Sequence, residues 1–562
     1  MIRQEIAKLI EKSIKELQRA KKLPKFDLPE VQIEHPEEKT NGDYAANIAM
    51  VVARQTKKSP MEIAKLINFQ FPISNSQFLE KTQVVEPGFI NFFLSEEYLQ
   101  KQVAEIMRRK EKFGDLKIGK NQKIQVEFIS ANPTGLLHIG HGRGAFFGDT
   151  LANVLDKAGY KATREYYIND AKNSSQIKEL GKTALGKGIT YLTENLKTQI
   201  AKLKTTTQIS KLNEGEAGYL LAREIQKDIK DFIEKKLKIK FNNWVSEEDL
   251  YKKNKIDKIF NWLKNKNLAY KKERAWWIKT SKFGDSQDWV IIRSQAEGGE
   301  PTYLLSDIAY HQDKFDRDFQ KIINILGADH QGHVGKIKAV AKILDYRGDL
   351  DILISQVVRL KRGKISKREG KTITLEWLID EVGLDAARFF YLMKSLDTQM
   401  EFNVELAKER SAKSPVYYVQ YAHARICSIL RKIPNKIQRC LSGGRRVGRS
   451  PNLKLLKHPS ETALIKELIK FPEIIEDTAK DYQVQRLPQY AIDLATSFHQ
   501  FYRDCKVLTK DYNPPTASSH SSLRSEWAPK NLRVARLGLI LATQTVLKNT
   551  LDLMGVSAPE KM

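Results

Sequence analysis

At 562 residues the chain has room for several domains and a sizeable core, and 95 Lys and Arg against 68 Asp and Glu leave a formal net charge of +27. Spread along the whole length, that surplus implies a polyanionic partner or else a lysine-rich proteome. No run of about eighteen apolar residues could span a bilayer, the opening MIRQEIAKLIEKSIKELQRAKK is too charged for a signal-peptide core, and Cys427, Cys440 and Cys505 are too widely spaced for a zinc knuckle, so a cytoplasmic protein without membrane span or structural metal is expected.

Ile2, Ile6, Leu9, Ile10, Ile14 and Leu17 recur at helical spacing and predict an amphipathic first helix. A Pro-containing connector leads to GDYAANIAMVVARQTKKSPMEIAKLI, expected to be helical again, and VVEPGFINFFLS reads as a strand pair or edge. Residues 1–112 therefore form a small α+β domain, with the Gly- and Lys-rich FGDLKIGKNQ as a linker. Asn91 and Phe93 could bond or stack on an unpaired base, although a Phe in an apolar strand is more often core.

From Ile124 to Gly159 the sequence reads as strand, turn and helix. Ile124, Val126 and Phe128 alternate with Gln125 and Glu127, then Pro133, Thr134 and Gly135 break the pattern. Phe147, Leu151, Val154, Leu155 and Ala158 make one helical stripe, and Gly159 falls where a left-handed cap belongs. Gly140, Gly142 and Gly144 strip side chains from the helix start, so an anion could approach backbone N–H groups that lack intrahelical partners. His138 and His141, three apart, share one face of that turn and can donate to phosphate oxygens. Two other readings stay open, core histidines beside a tight turn and metal ligands. Glycines around two polar rings make poor core, and no nearby cysteine or His-Glu-x-x-His pattern favours a metal.

ANPTGLLHIGH, continuing through GDTLANVLDKAGY and REYYIND, resembles the HIGH signature of class I aminoacyl-tRNA synthetases in the form found in arginyl-tRNA synthetases. The resemblance implies an α/β multidomain protein: an N-terminal α+β domain (1–112) that contacts the outer corner of tRNA, a Rossmann-like class I catalytic domain (113–389) with a connective insertion, and a C-terminal all-α helical bundle (390–562) that reads the anticodon. It implies ligation of L-arginine to tRNA(Arg) by a monomer, driven by ATP with its Mg²⁺. His138 and His141 take catalytic roles, and Pro133, Thr134, Gly135 and Gly140 join them against ATP.

Residues 180–250 are lysine-rich and helical, and are expected as the insertion between two halves of the nucleotide fold. Strands follow in WWIKT and DWVIIRS. In TYLLSDIAYHQDKF, Tyr303 and Asp307 are four apart and share a helix face, a reasonable site for a guanidinium, though Asp307 could also be a helix cap. The resemblance makes these two, with Glu127, Ser130, Asn132, His138 and Gln331, the arginine ligands. IINILGADHQGH reads as a buried strand carrying Asp329, His330, Gln331 and His333 at its carboxyl end, where parallel sheets bind ligands, and the resemblance sets Asp329 beside ATP.

ILISQVVRL reads as one more strand and KRGKISKREGKTITL as a basic loop. By itself such a run is more often solvated surface. Placed after a strand, KISKR within the loop 361–371 resembles the KMSKS loop, with Ile365 for the usual methionine and Lys364 and Lys367 as catalytic phosphate ligands. The remainder is almost wholly helical. In SPVYYVQYAHARI, Tyr418 and Tyr421 suit unstacked bases but equally suit core packing. The resemblance favours RNA contact there and adds Asn91, Tyr502 and Met562. Two rival identities share features: a basic RNA-binding paralogue without catalysis, and a cysteinyl-type enzyme, which would need zinc-ligand cysteines in the catalytic half.

Overall fold

The computed structural model describes residues 2–71, 76–361, 373–433, 451–507 and 523–562. Helix α1 (Ile2–Arg19) leads to strands β1 (Ile33–Glu34) and β2 (Tyr44–Ala46), helices α2 (Ile48–Thr56) and α3 (Pro60–Phe69), and the hairpin β3 (Leu79–Val85) and β4 (Phe89–Leu94). Together they form an antiparallel sheet in the order β1-β2-β4-β3. The stretch expected to be one helical region thus opens with a strand and splits in two. Ser59 accepts the Glu62 N–H and Pro60 occupies the first turn, a strong restart signal. Helix α4 (Glu96–Arg109) closes this part.

The FGDLKIGKNQ segment is not a free tether. Phe113 stacks on Phe471 at 6.2 Å, the Leu116 N–H bonds the Lys157 carbonyl, and the Asn121 N–H bonds the Gly159 carbonyl. Contacts across the chain fasten the N-terminal part to the C-terminal helices as well, with Arg3 donating to Asp477 at 3.0 Å and the Tyr44 hydroxyl to Glu473 at 3.0 Å.

Strand β5 (Lys123–Glu127) enters a parallel sheet with α5 (Ile139–Lys157), β6 (Lys161–Ile168), α6 (Ser175–Ala184), α7 (Glu194–Thr206), α8 (Glu214–Asp231) and β7 (Asn243–Ser246) following. After α9 (Glu247–Lys252) and α10 (Lys255–Asn265), a small antiparallel sheet of β8 (Ala269–Lys272), β9 (Ala275–Ile278) and β10 (Trp289–Ile292) stands apart. The chain then returns through α11 (Tyr303–Phe315), β11 (Lys321–Gly327), α12 (Val334–Ile343) and β12 (Asp349–Ser355). Among the described residues the main sheet has the order β12-β11-β5-β6-β7, every pairing parallel.

Residues near 180–250, expected as an insertion, instead close back onto the sheet, because β7 pairs with β6 as its edge strand. The segment that leaves the sheet is the later one, from α9 through β10. The chain leaves β5 toward β6 and β7 but continues from β11 to β12, so the order reverses between β5 and β11. That crevice is where open parallel sheets bind ligands.

Helix α5 packs unusually close to the sheet. A Cβ at Gly148 would fall 2.3 Å from the Phe128 ring, so only glycine permits this approach. Gly159 ends the turn beyond the helix with φ +92°, in the left-handed region that it alone enters without cost.

Beyond β12, the expected single strand ILISQVVRL is two. The shorter one, β13 (Val358–Leu360), pairs in parallel with β14 (Met400–Phe402), across α13 (Leu375–Val382) and α14 (Leu384–Leu392). Residues 400–402, placed by their surroundings in an all-helical region, are therefore strand. Helices α15 (Val404–Lys408), α16 (Pro415–Arg431), Pro459–Ile469, Phe471–Asp481, Arg486–Asp504 and Leu523–Met554 complete the chain. No helix among the described residues is long and apolar enough to cross a membrane.

Candidate functional site

His138 is the N-cap of α5, and its Nδ1 accepts the Gly140 N–H at 3.1 Å. His141 Nδ1 accepts the His138 N–H at 3.1 Å, completing a reciprocal cap built from two imidazoles whose centroids lie 3.8 Å apart. With both Nδ1 atoms accepting, the neutral tautomer of each ring carries its proton on Nε2. Burial lowers both pKa values, to about 3 for His141, with the neighbouring His138 adding to that fall; Asp329 pulls the other way on His138. Two neutral rings thus offer Nε2–H donors.

The backbone N–H groups expected to receive an anion are already taken. Ile139 donates to the Ile373 carbonyl at 3.1 Å, Gly140 to His138, and His141 to the His138 carbonyl at 3.0 Å. Gly142 does not open the turn to a ligand either, because a Cβ there would lie 2.8 Å from Leu375 and 3.0 Å from Tyr391. It lets α13 and α14 approach. Gly135, by contrast, has nothing within 4 Å of a would-be Cβ. Pro133 is buried, Thr134 is half-buried, and Asn132 is exposed at the mouth.

At the carboxyl end of β5, Glu127 is buried. One oxygen accepts the Ser130 hydroxyl at 2.9 Å, and the other accepts Lys314 and the Tyr310 hydroxyl. Lys314 also donates to Asn324 at 2.9 Å, and Asn324 contacts His311 at 3.2 Å. Ile129 and Ser130 both have positive φ, +68° and +38°. A β-branched residue in that region is strained, and such strain gathers at functional turns.

Asp307 lies half-buried on α11, in the helix body rather than at its cap, which belongs to Thr302. Burial, then Glu247 and Glu127, push its carboxyl up to about 8. Tyr303 stands exposed above it, stacked on His333 at 5.5 Å. Asp329 and Gln331 are exposed on the turn after β11. Lys364 and Lys367 lie outside the described residues. The residues after them are joined to the histidine turn, since Leu375 donates to the Leu137 carbonyl at 2.8 Å and Ile373 accepts from Ile139.

Among the expected RNA contacts, Asn91 needs correction. It is 3 % exposed, in the middle of β4 between β2 and β3, and presents no surface to RNA. Phe93 is half-buried beneath Lys81, whose ammonium lies 4.2 Å from the ring centroid. Tyr418 is half-buried and donates to Thr496 at 3.2 Å, whereas Tyr421 is exposed. Arg425 lies 4.5 Å from the Tyr502 centroid, and Met562 is exposed beyond a chain end docked on α16.

Residue types alone did not point to Lys314, Glu247 or Tyr167. A helical lysine reads as solvated, Glu247 falls within the segment taken for an insertion, and Tyr167 was visible only as part of the REYYIND match.

Family profiles match consecutive parts of the chain: "Arginyl tRNA synthetase N terminal domain" over residues 4–94, "tRNA synthetases class I (R), catalytic domain" over 102–428, and "DALR anticodon binding domain" over 419–562. The arginine–tRNA ligase 1 of Halalkalibacterium halodurans is 40% identical, with 95% of each chain covered. The arginine–tRNA ligase of Caldanaerobacter subterraneus is also 40% identical, covering 100% of this chain and 99% of its own. In fold the chain is similar to the arginyl-tRNA synthetase of Thermus thermophilus, with a TM-score of 0.75 at 22% identity and full coverage of both.

Proposed function

The chain belongs to the arginyl-tRNA synthetase family, and from that premise we propose that the histidine turn and the acid pocket beside it are the two halves of one active site. Its reaction ligates arginine to tRNA at the expense of ATP. The observation that carries the assignment is the single strand-turn-helix that ends one way in Glu127, beside Asp307, and the other way in two imidazoles whose Nδ1 atoms are used by the cap, leaving Nε2–H as the donor on each.

In this assignment ATP lies along Pro133, Thr134, Gly135 and Gly140, entering as its Mg²⁺ complex. The arginine carboxylate attacks the α-phosphate, and His138 and His141 donate to oxygens whose charge grows as pyrophosphate leaves. Lys364 and Lys367, which lie outside the described residues, join them on sequence grounds alone. Fixed donors of this kind supply much of the acceleration, because little covalent chemistry falls to the protein. The arginyl group then passes to a terminal ribose hydroxyl of the tRNA.

Arginine is held by Asp307 under Tyr303, with Glu127 and Ser130 at the strand end and Asn132 and Gln331 at the mouth. A charged acceptor in a half-buried pocket suits a guanidinium and penalises neutral side chains. The C-terminal helices take the anticodon end of tRNA(Arg) and the N-terminal domain its outer corner. We take the enzyme to act as a cytoplasmic monomer, and light scattering checks the oligomeric state.

Pyrophosphate exchange with each amino acid in turn, with and without total tRNA, tests the reaction. Asp307→Asn then tests the pocket. Calorimetry should show arginine weakened by at least tenfold and ATP little changed, and equal weakening of both would remove Asp307 from the arginine site.

A further inference from the structure

Arg388, on α14, is 1 % exposed, and its guanidinium joins three parts of the chain that lie 239, 166 and 151 positions away. Nη1 donates to the Asp149 carboxylate of α5 at 2.8 Å and to the Met554 carbonyl, at the end of the last helix, at 3.1 Å. Nη2 donates at 2.8 Å to the carbonyl of Leu237, where the helical run that continues α8 ends. The guanidinium carbon lies 5.2 Å from the ring centroid of Phe146, also on α5. Nε is buried without a partner, so the fork is aimed by its surroundings at the expense of its own full bonding. A buried cation is costly, and this one is kept where three remote acceptors converge.

The chain end is shaped around this side chain. Gly555 turns away from the last helix with φ +65°, and a Cβ there would fall 2.3 Å from Arg388 Nη1, so both conformation and space call for glycine. Beside it, Asn153 of α5 donates to the Leu553 carbonyl at 3.0 Å, and Arg164 of β6 donates to the second Asp149 oxygen at 3.3 Å. The carbonyl end of the last helix, with its partial negative charge, is thus seated on α5 by Arg388 and Asn153. Helix α5 needs such a stop. Its contact with the sheet runs through Gly148 against Phe128, which sets the height of the helix but offers no side chain to interlock against sliding along its axis. Asp149, the next residue, is where the two arginines grip it. His138 and His141 lie at the other end of the same helix, about 15 Å away at roughly 1.5 Å per residue. Tyr391, one turn beyond Arg388, donates to the Ile139 carbonyl at 2.7 Å, so α14 holds α5 at both ends.

We propose that Arg388 is a positioning residue for the activation step: it locks the carbonyl end of the last helix to α5, so that the seat of the chain end sets where His138 and His141 stand. This rests on the assignment of the two histidines to the reaction. The buried unpaired Nε, the glycine moulded to Nη1 and the double grip on Asp149 then have one cause. Arg388 touches no substrate and acts only through the placement of α5.

The test reads arginine-dependent pyrophosphate exchange by full-length enzyme at saturating tRNA, with the melting temperature measured in parallel. Gly555→Ala alters neither α5 nor any group assigned to a substrate. It should nonetheless lower kcat about tenfold and leave the KM for arginine and for ATP within about twofold, because misplacing reacting groups by about 1 Å costs up to ~10²-fold. Arg388→Lys, which keeps the charge but loses the fork, should do the same. The double variant should be no slower than Arg388→Lys alone, since both changes act at one joint. Losses that multiply in the double variant overturn the inference, as does a lowered melting temperature with kcat intact, or a loss carried by KM. If Arg388→Lys does not fold, Gly555→Ala decides alone, and a kcat within about twofold of wild type overturns the inference. His138→Asn at the wild-type rate would sink the underlying assignment, whereas a slowed His138→Asn beside a normal Gly555→Ala sinks this inference only.

Discussion

Lys314, 0 % exposed, places its ammonium on the inner oxygen of Glu127 and over the face of Tyr310, 4.3 Å from the ring centroid. Glu127 therefore has its charge already balanced inside the protein, and it holds Ser130, which in turn receives the Tyr167 N–H at 3.1 Å. The strained turn at Ile129 and Ser130 is tied down from both sides by this pair.

Removing one partner of a buried ion pair strands the other. Lys314→Met should cost about 3–5 kcal/mol in denaturant unfolding, through an uncompensated Glu127. A loss below about 1 kcal/mol would mean that Ser130 and Tyr310 suffice to hold the carboxylate.

The imidazole cap separates structure from chemistry at His138. Asparagine is among the best N-cap residues, so His138→Asn keeps the acceptor for Gly140 while removing the Nε2–H. The melting temperature should hold while the activation rate falls on the order of 10²-fold or more, the size of losing one preorganised donor to a developing oxyanion. Stopped-flow adenylate formation reads this directly. A rate within a few-fold of wild type would assign the ring to capping alone.

Asp307 carries a stability cost whose sign can be checked. Its folded pKa of about 8 lies above its ordinary 3.8, so the folded state keeps a proton that the unfolded chain releases, and stability is lost as pH rises between those values. Asp307→Asn should therefore melt higher than wild type at pH 8.5, with the gain shrinking toward pH 5. His141 and His311 act in the opposite direction, both held neutral down to about 3, so acid below about 6.5 destabilises wild type and variant alike. Equal melting curves at both pH values would contradict the raised pKa.

Much of this architecture was legible because it depends on local periodicity: the apolar alternation of β5, the turn at Pro133 to Gly135, the helix from His138 and the cap at Gly159 all follow from short-range rules. What escaped depends on tertiary partners. Whether the first-turn N–H groups are free is decided by Ile373 and by the histidine rings themselves, and Gly142 is small because Leu375 and Tyr391 need its space. Lys314 is buried only because β5 delivers Glu127 to it from 187 positions away. The edge strand β7 is four residues long, too short for alternation to announce it amid lysine-rich helices.

The last prediction separates two tyrosines that sequence treats alike. Both lie on α16, three apart, and both were candidates for unstacked bases. Tyr418 is half-buried, its hydroxyl donating to Thr496 and its ring 5.1 Å from His499. Tyr421 is 40 % exposed, nearly parallel to Tyr417 at 6.2 Å and to His499 at 6.1 Å, with Arg425 between it and Tyr502. The chain end lies beside them, held by Gln420 to the Ser557 carbonyl at 3.0 Å, His423 to Pro559 at 2.9 Å and Arg431 to Glu560 at 3.0 Å. An exposed ring in a ladder of aromatic and guanidinium planes is a stacking platform, while a ring with a satisfied hydroxyl is packing. Tyr421→Ala should raise the KM for tRNA roughly tenfold, as expected for one lost base stack of about 1–3 kcal/mol, without lowering the melting temperature. Tyr418→Ala should lower the melting temperature and change the KM for tRNA less. Deleting residues 556–562 should act like Tyr421→Ala with an added loss of stability, because Val556 is buried. If instead Tyr421→Ala charges tRNA normally, the anticodon end of the RNA is read on a different face of these helices.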